Sequence, residues 1–276
     1  MNEPMDTSLL SVATAALSAD LRTALRRARD LGVRGVEIDA RGGLDPAQVS
    51  QSGVRQLRKW LDDEGLVVSA VAFRTRGGYA DAERLEPRIA ATKSALQLAQ
   101  ALGAGVVLNH IGDIPPAAAA DPAGTQSQPT ADPRWRLLVD VLSDLGGWGQ
   151  RVGATLCAEA GRAGPDDLLR VMAALPAGSL TCDIVTGALV VYGHDPVSAV
   201  ERLSGHVGFV HATDAVAGAF AGRGRAVILG TGQVDFAGVL GAIEERGSRG
   251  WIGLEPVDER GGATELAGAI EFLRTM

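Results

Sequence analysis

Four residues with metal-binding side chains stand at or near the ends of four short apolar runs. Glu159 ends ATLCAE, Asp183 ends SLTCD, His211 lies near the end of HVGFVHA, and Glu255 ends GWIGLE. A single carboxylate in such a place is equally well explained by solvent exposure or by capping of the next helix. Three carboxylates and one imidazole together form a mixed oxygen and nitrogen ligand set, which suits one divalent metal ion.

The types of ligand narrow the choice of metal. Carboxylate oxygens favour Mn²⁺ or Mg²⁺, and the single histidine leaves Zn²⁺ and Co²⁺ open. Cys157 and Cys182 lie inside apolar runs, where a reduced thiol behaves as a small hydrophobic side chain. Because neither cysteine belongs to the ligand set, a thiolate zinc site is excluded.

The elements that would position these residues alternate regularly along the chain. Short β-branched runs are separated by longer segments of helical period, the pattern of βαβ units around a parallel sheet. The length of 276 residues suits one α/β domain, a (β/α)8 TIM barrel over residues 1–276, with the active site at the carboxyl ends of its strands. The eight predicted strands are SLLSVAT, GVEID, LVVSAVAF, GVVLNH, ATLCAE, SLTCD, HVGFVHA and GWIGLE.

Other polar residues are expected on the same face of the barrel. His110 ends the fourth strand. It could contact substrate or shuttle a proton, or it could be an ordinary loop histidine. Glu37 ends the second strand and would contact substrate at the rim of the site. Asp214, three residues after His211, either orients that imidazole or simply begins a loop.

Arginines are concentrated in the loops that follow strands. We hypothesise that some of them bind a phosphate or carboxylate group of the substrate, with Arg223 and Arg225 as the pair to test first. The alternative is solvated loop charge. The arginines in question are Arg41, Arg74, Arg76, Arg162, Arg223, Arg225 and Arg260.

Two loops stand out by composition. Residues 112–132, rich in Ala and Pro, predict a long surface loop that is a lid, a subunit contact or plain disorder. The glycine-rich segment AGAFAGRGRAVILGTG lacks the spacing of a phosphate-binding loop, and it predicts a flexible active-site loop.

Charge and hydropathy exclude several classes of partner. The formal charge of −7 and the absence of a basic run argue against a nucleic-acid partner. No apolar stretch approaches the roughly 20 residues needed to cross a bilayer, and the N-terminus does not resemble a secretion signal. The sequence therefore predicts a cytoplasmic protein that does not bind a membrane.

Several motifs give the chain a family resemblance. AEAG, CDIVTG, VHATD and LGTGQVDF…GWIGLE resemble the xylose-isomerase-like barrels, sugar phosphate isomerases and epimerases, and LGVRGVEI resembles their second strand. The resemblance implies that Glu159, Asp183, His211 and Glu255 hold one divalent metal and that the two glutamates are also the acid/base pair. It further implies a small carbohydrate or sugar phosphate as substrate, proton abstraction next to a carbonyl, and a homo-oligomer.

The chain departs from the family pattern at two positions. Many members have a histidine three residues after the strand-six aspartate, where this chain has Thr186, and epimerases often carry a cationic residue where it has Ala217. Two alternatives therefore stay open on the same barrel: a dehydratase of the inosose-dehydratase type and a non-catalytic binding subunit.

Overall fold

The computed structural model describes residues 9–42, 44–116, 132–247, 250–257 and 261–276. Its ten strands are numbered along the chain, and all eight predicted strands are among them. The strands are β1 (Leu10–Ala13), β2 (Gly35–Asp39), β3 (Val67–Ala72), β4 (Val106–Asn109), β5 (Thr155–Ala160), β6 (Leu180–Val185), β7 (Val207–Ala212), β8 (Asp214–Val216), β9 (Arg225–Val227) and β10 (Trp251–Leu254).

Eight of these strands form a closed parallel barrel in the order β1-β10-β7-β6-β5-β4-β3-β2. The register aligns Glu159 on β5 with Asp183 on β6, and Val185 on β6 with His211 on β7. Because parallel strands end at one edge of the sheet, their carboxyl ends form one mouth of the barrel. The predicted α/β single-domain TIM barrel is confirmed.

Helices surround the barrel, and their ends follow the expected local signals. Gly65 and Gly103 end helices in the left-handed conformation, with φ of 68° and 81°, and Asp195 caps the helix that begins at Pro196. The helices of the described residues are α1 (Leu21–Asp30), α2 (Gln51–Glu64), α3 (Leu85–Leu102), α4 (Pro133–Val152), α5 (Pro165–Ala173), α6 (Thr186–Tyr192), α7 (Pro196–Arg202), α8 (Phe236–Glu245) and α9 (Gly262–Arg274).

The buried apolar residues form two clusters. The larger one packs the outer faces of the strands against the helices. The smaller one joins Ala70, Leu108, Cys157 and Phe209, which come from four barrel strands and fill the interior beneath the mouth. Both cysteines are free and buried, as the sequence predicts, and burial raises the pKa of each thiol.

The glycine-rich segment after β7 is more regular than the sequence suggests. Instead of a flexible loop throughout, it contains an antiparallel hairpin in which β8 pairs with β9. Asp214 stabilises this region, since its buried carboxylate accepts hydrogen bonds from the backbone amides of Gly230, Gly232 and Val234. The side chain that could have oriented His211 therefore holds a loop.

Two further expectations concern the long loop after β4 and helices that could span a membrane. Most of the predicted long loop at 112–132 lies outside the described residues, as does Arg260. No helix in the described ranges has both the length and the apolar character needed to span a membrane.

Candidate functional site

Six ionisable side chains meet at the carboxyl-terminal mouth of the barrel, and we call them the carboxylate cage. Each comes from a different strand or from the residues just after one, so the closed barrel brings together positions that are far apart in sequence. The cage consists of Glu37 (β2), Arg74 (after β3), Glu159 (β5), Asp183 (β6), His211 (β7) and Glu255 (after β10).

His211 lies at the base of the cage, with a side chain that is 1% exposed. Its Nδ1 is 2.7 Å from Oδ2 of Asp183, and its Nε2 is 2.8 Å from Oε2 of Glu37. Burial alone would lower the pKa of the imidazole, but the carboxylates of Asp183, Glu255 and Glu37 raise it well above its ordinary value. Carboxylates face both ring nitrogens, an arrangement that favours the imidazolium form of His211.

The ring of His211 is placed by its neighbours inside the barrel. It packs at 4.9 Å, centroid to centroid, against Phe209 two residues earlier on β7. Gly253 on the adjacent β10 permits this packing, because a Cβ atom at residue 253 would lie 2.5 Å from Phe209 and 3.2 Å from His211. Any larger residue at position 253 would push both rings away.

Arg74 occupies the middle of the cage. Each of its guanidinium nitrogens bonds a different glutamate: Nε lies 2.5 Å from Oε1 of Glu159, Nη1 lies 3.1 Å from Oε1 of Glu37, and Nη2 lies 2.9 Å from Oε1 of Glu255. The guanidinium thus bridges three strands. Its side chain is 30% exposed, so it separates the cage from the solvent above it.

The electrostatic environment differs among the three glutamates. Burial opposes ionisation of Glu37, but Arg74 and His211 lower its pKa to about 2. The pKa of Glu159 is also lowered despite burial, through hydrogen bonding to His110 and the charge of Arg74. Burial instead raises the pKa of Glu255, which His211 and Arg74 only partly oppose. The two predicted acid/base glutamates are therefore shifted in opposite directions.

One oxygen in the cage lacks a partner. Asp183 is fully buried, and its Oδ1 has no hydrogen bond to any described residue, although Oδ2 pairs with His211. Burial raises the pKa of this carboxyl. A buried acceptor without a donor is costly, and a cation beside Oδ1 would satisfy it.

The donor types of the cage fit a divalent cation. Single donor atoms of Glu37, His211 and Glu255 lie within 4.8 Å of one another, a separation compatible with a shared ion. The four predicted ligands all lie in the cage, but of them only His211 and Glu255 belong to this triad. Glu159 and Asp183 lie outside it, and Glu37, for which the sequence suggested a substrate contact, takes the third place. Carboxylate oxygens with one imidazole suit Mn²⁺ or Mg²⁺.

A cavity of about 510 Å³ adjoins the cage. Glu159 belongs to both, because its Oε1 bonds Arg74 and its Oε2 contacts Nε2 of His110. The cavity is lined mainly by the segments that follow β3, β4 and β5, including Thr75, Arg76 and Arg162. His110 therefore lies where a bound small molecule would meet the cage.

The remaining predicted residues are arginines, of which some line this cavity and others lie outside it. Arg223 and Arg225 are exposed around the β8–β9 hairpin and do not line this cavity. Arg162 lines it and pairs with Asp113 at 3.1 Å, while Arg41 donates to the backbone carbonyl of Arg74. Arg76 is exposed, lines the cavity, and has no ion pair with any described residue.

Thr186, one of the two departures from the family pattern, lies behind the cage and not in the cavity. It is fully buried, and its hydroxyl lies 3.2 Å from the carbonyl oxygen of His211 and 3.0 Å from the amide of Thr213. It therefore ties the start of α6 to the end of β7. Ala217, the second departure, is exposed, and its amide donates to the side chain of Gln233.

Arg74 is the cage residue that the sequence did not single out. It stood among seven loop arginines, although it follows the apolar run LVVSAVAF directly. Its position directly after that predicted strand was the available signal.

The contacts of Thr186 predict a structural role for its hydroxyl. Thr186→Val should lower the free energy of unfolding by about 1–3 kcal/mol, because the buried amide of Thr213 loses its acceptor. Thr186→Ser keeps the hydroxyl and should lose less. Urea denaturation of both variants measures the difference, and a valine variant as stable as the serine variant would contradict the role.

The chain matches the model of one protein family and is similar in structure to several solved proteins. The model of the xylose isomerase-like TIM barrel family matches residues 25–276, and no curated protein matches the chain. A xylose isomerase domain protein from Planctomyces limnophilus is 23% identical, with 96% of this chain and 95% of that chain covered and a TM-score of 0.81.

Two further solved structures are similar over nearly their whole length. A xylose isomerase-like TIM barrel protein from Mycobacterium smegmatis in complex with magnesium is 19% identical, with coverage of 99% and 98% and a TM-score of 0.74. The 3-keto-D-glucoside 4-epimerase of E. coli is 16% identical, with coverage of 98% and 100% and a TM-score of 0.76. At these identities the structures show a shared fold, and the family match over residues 25–276 shows that the chain belongs to the xylose isomerase-like TIM barrel family.

Proposed function

We propose that the chain is a divalent-metal-dependent isomerase or epimerase of a small carbohydrate or sugar phosphate. The observation that carries the proposal is that Glu159 and Glu255 both bond the guanidinium of Arg74 at the barrel mouth, next to a cavity of about 510 Å³ that Glu159 lines. Two carboxylates from strands separated by two others can approach one substrate carbon from different directions. Such a pair can remove a proton and return it.

Under this proposal Glu159 and Glu255 form the acid/base pair. A carboxylate takes the proton from the carbon next to a carbonyl, and return of a proton to the other face inverts that centre. Return to the neighbouring carbon instead interconverts an aldose and a ketose. The opposite pKa shifts of the two glutamates suit an acid and a base at one pH.

The metal ion would be held by Glu159, Asp183, His211 and Glu255, with Glu37 as a further donor next to His211. When bound, it supplies positive charge for the oxygen atoms of the substrate as the proton leaves. Two findings support this part: the unpaired Oδ1 of Asp183, and the magnesium complex of the similar protein from Mycobacterium smegmatis. The similarity to a sugar epimerase of E. coli supports the substrate class.

His110 is proposed as a substrate contact. Its ring borders the cavity and contacts the carboxylate of Glu159, and half of its side chain is exposed. From there it can bond a substrate hydroxyl and orient Glu159 at the same time.

Proton abstraction can be tested in D₂O. The protein, loaded with Mn²⁺ or Mg²⁺, should incorporate deuterium next to the carbonyl of a ketose from a panel of ketoses and cyclic polyols, as measured by NMR. Glu159→Gln and Glu255→Gln should each slow this exchange by about 10²–10⁴-fold. The exposed Glu245→Gln on α8 is the matched control and should exchange like the unaltered protein.

The other outcomes separate the alternatives. Loss of water from a cyclic polyol would identify a dehydratase on the same scaffold. Binding of a sugar with no exchange of any panel member, despite a filled metal site, would identify a non-catalytic binding protein and contradict the proposal.

An anionic group on the substrate would be bound by an arginine of the proposed set. Arg76 lines the cavity without an ion partner among the described residues, whereas Arg225 is exposed on the hairpin. With a sugar phosphate, Arg76→Ala should raise KM about tenfold or more, because a charge-assisted hydrogen bond is lost. Arg225→Ala and Arg223→Ala test the pair that the sequence put first. Equal KM values for all three variants would show that none of these arginines binds the anion.

A further inference from the structure

We propose, on the basis of the metal dependence proposed above, that Arg74 is an internal competitor of the divalent cation. Its guanidinium neutralises the cage of the metal-free protein, and it must leave Glu159 and Glu255 before these glutamates bind the ion. The exchange is one cation for another at the same carboxylate oxygens.

The first reason is that the carboxylate oxygens of Glu159 and Glu37 already have partners. Both oxygens of Glu159 are used, Oε1 by Arg74 and Oε2 by His110. Both oxygens of Glu37 are used as well, by Arg74 and by His211. A metal ion at Oε1 of Glu159 therefore competes directly with Arg74 for that oxygen.

The second reason is distance. Metal–oxygen bonds to carboxylates are about 2.0–2.6 Å long. The oxygens that Arg74 bonds lie 2.5 Å and 2.9 Å from its nitrogens on Glu159 and Glu255. An ion on those oxygens would lie within about 5 Å of the guanidinium, and two cations so close in a partly buried site repel strongly.

The third reason is the charge of the cage. Glu37, Glu159, Asp183 and Glu255 supply four negative charges when ionised, against one each from Arg74 and His211. Removal of Arg74 without replacement would leave buried carboxylates facing one another, which is strongly destabilising. Because His211 must lose its proton to bind the ion, a divalent ion replaces two positive charges, that of the displaced guanidinium and that of the imidazolium.

The structure also provides space for the displaced side chain. Thr75, the next residue, lines the cavity of about 510 Å³ together with Arg76 and Glu159. A rotation of the Arg74 side chain towards this cavity would release the glutamates and add a positive charge where the substrate binds. Metal binding would thus prepare the cavity for an electron-rich ligand.

The experiment compares metal affinity among full-length variants stripped with a chelator. Arg74→Met removes the charge and keeps an unbranched apolar chain, Arg74→Lys keeps a charge, and Arg58→Met removes an exposed arginine of α2 as the matched control. By isothermal titration with Mn²⁺ or Mg²⁺, Arg74→Met should bind at least tenfold more tightly than the unaltered protein. Arg74→Lys should change affinity by less, and Arg58→Met should not change it.

A second experiment measures the melting temperature with and without metal, which tests the role of Arg74 as a counter-charge separately from the metal affinity. Without metal, Arg74→Met should melt at a lower temperature than the unaltered protein, because the cage has lost a counter-charge. With saturating Mn²⁺ the difference should shrink or reverse. Arg58→Met should melt like the unaltered protein in both conditions.

The unaltered protein provides a test that needs no stable methionine variant. The Nε–H signal of Arg74, assigned by its absence in Arg74→Lys, should shift on addition of diamagnetic Mg²⁺ as its bond to Glu159 breaks. An unchanged signal at saturation, or an Arg74→Met variant that binds metal no more tightly while the unaltered protein binds it, would overturn the competition and leave the proposed enzyme intact. Deuterium exchange that is independent of metal, with no metal bound by either protein, would overturn both.

Discussion

The repulsion among four carboxylates at one end of the barrel is the constraint on which the rest of the site depends. Glu37, Glu159, Asp183 and Glu255 converge because parallel strands end at the same edge, and burial makes each charge costly. Positive charge must therefore enter the same space. In this chain it comes from His211 below and from a guanidinium above.

Packing inside the barrel fixes the position of His211, the lower of the two positively charged groups. Phe209 fills the interior beneath His211, and the lack of a side chain at Gly253 lets both rings fit between β7 and β10. Thr186 braces the backbone of His211 from behind. With its ring held in this way, His211 directs both nitrogens at carboxylates, so binding of a metal ion to His211 would require one ring nitrogen to lose its proton and its carboxylate partner.

The sequence predicted the barrel and the strand-end residues for one physical reason. Apolar runs of strand length separated by helical segments leave few architectures, and in a parallel barrel the residues at strand ends must meet. Glu159, Asp183, His211 and Glu255 could therefore be placed together from their positions alone. Whether they hold a metal and transfer a proton stays a prediction, because the structure determines only their arrangement.

The pairing within the site could not be predicted, because it depends on side-chain reach across the barrel. Arg74 is 85 residues from Glu159 and 181 from Glu255 along the chain, and nothing in its local sequence identifies its partners. Asp214 appeared suited to orient His211, yet it turns to the amides of the loop after β9, and Asp183 pairs with the imidazole instead. The hairpin was missed because each of its strands is only three residues long, too short to show the alternating pattern of a strand.

The two departures from the family pattern, Thr186 and Ala217, do not line the cavity next to the cage. Thr186 is fully buried and Ala217 has no polar side chain, so neither can contact a ligand in the cavity through a polar group. Polar side chains at the cavity come from the segments after β3 and β4, from β5 and the segment after it, and from the end of α6: Thr75, Arg76, His110, Asp113, Glu159, Arg162 and Tyr192. Under the proposed function, a substrate in this cavity would therefore meet polar groups mainly from β5 and the segments after β3, β4 and β5.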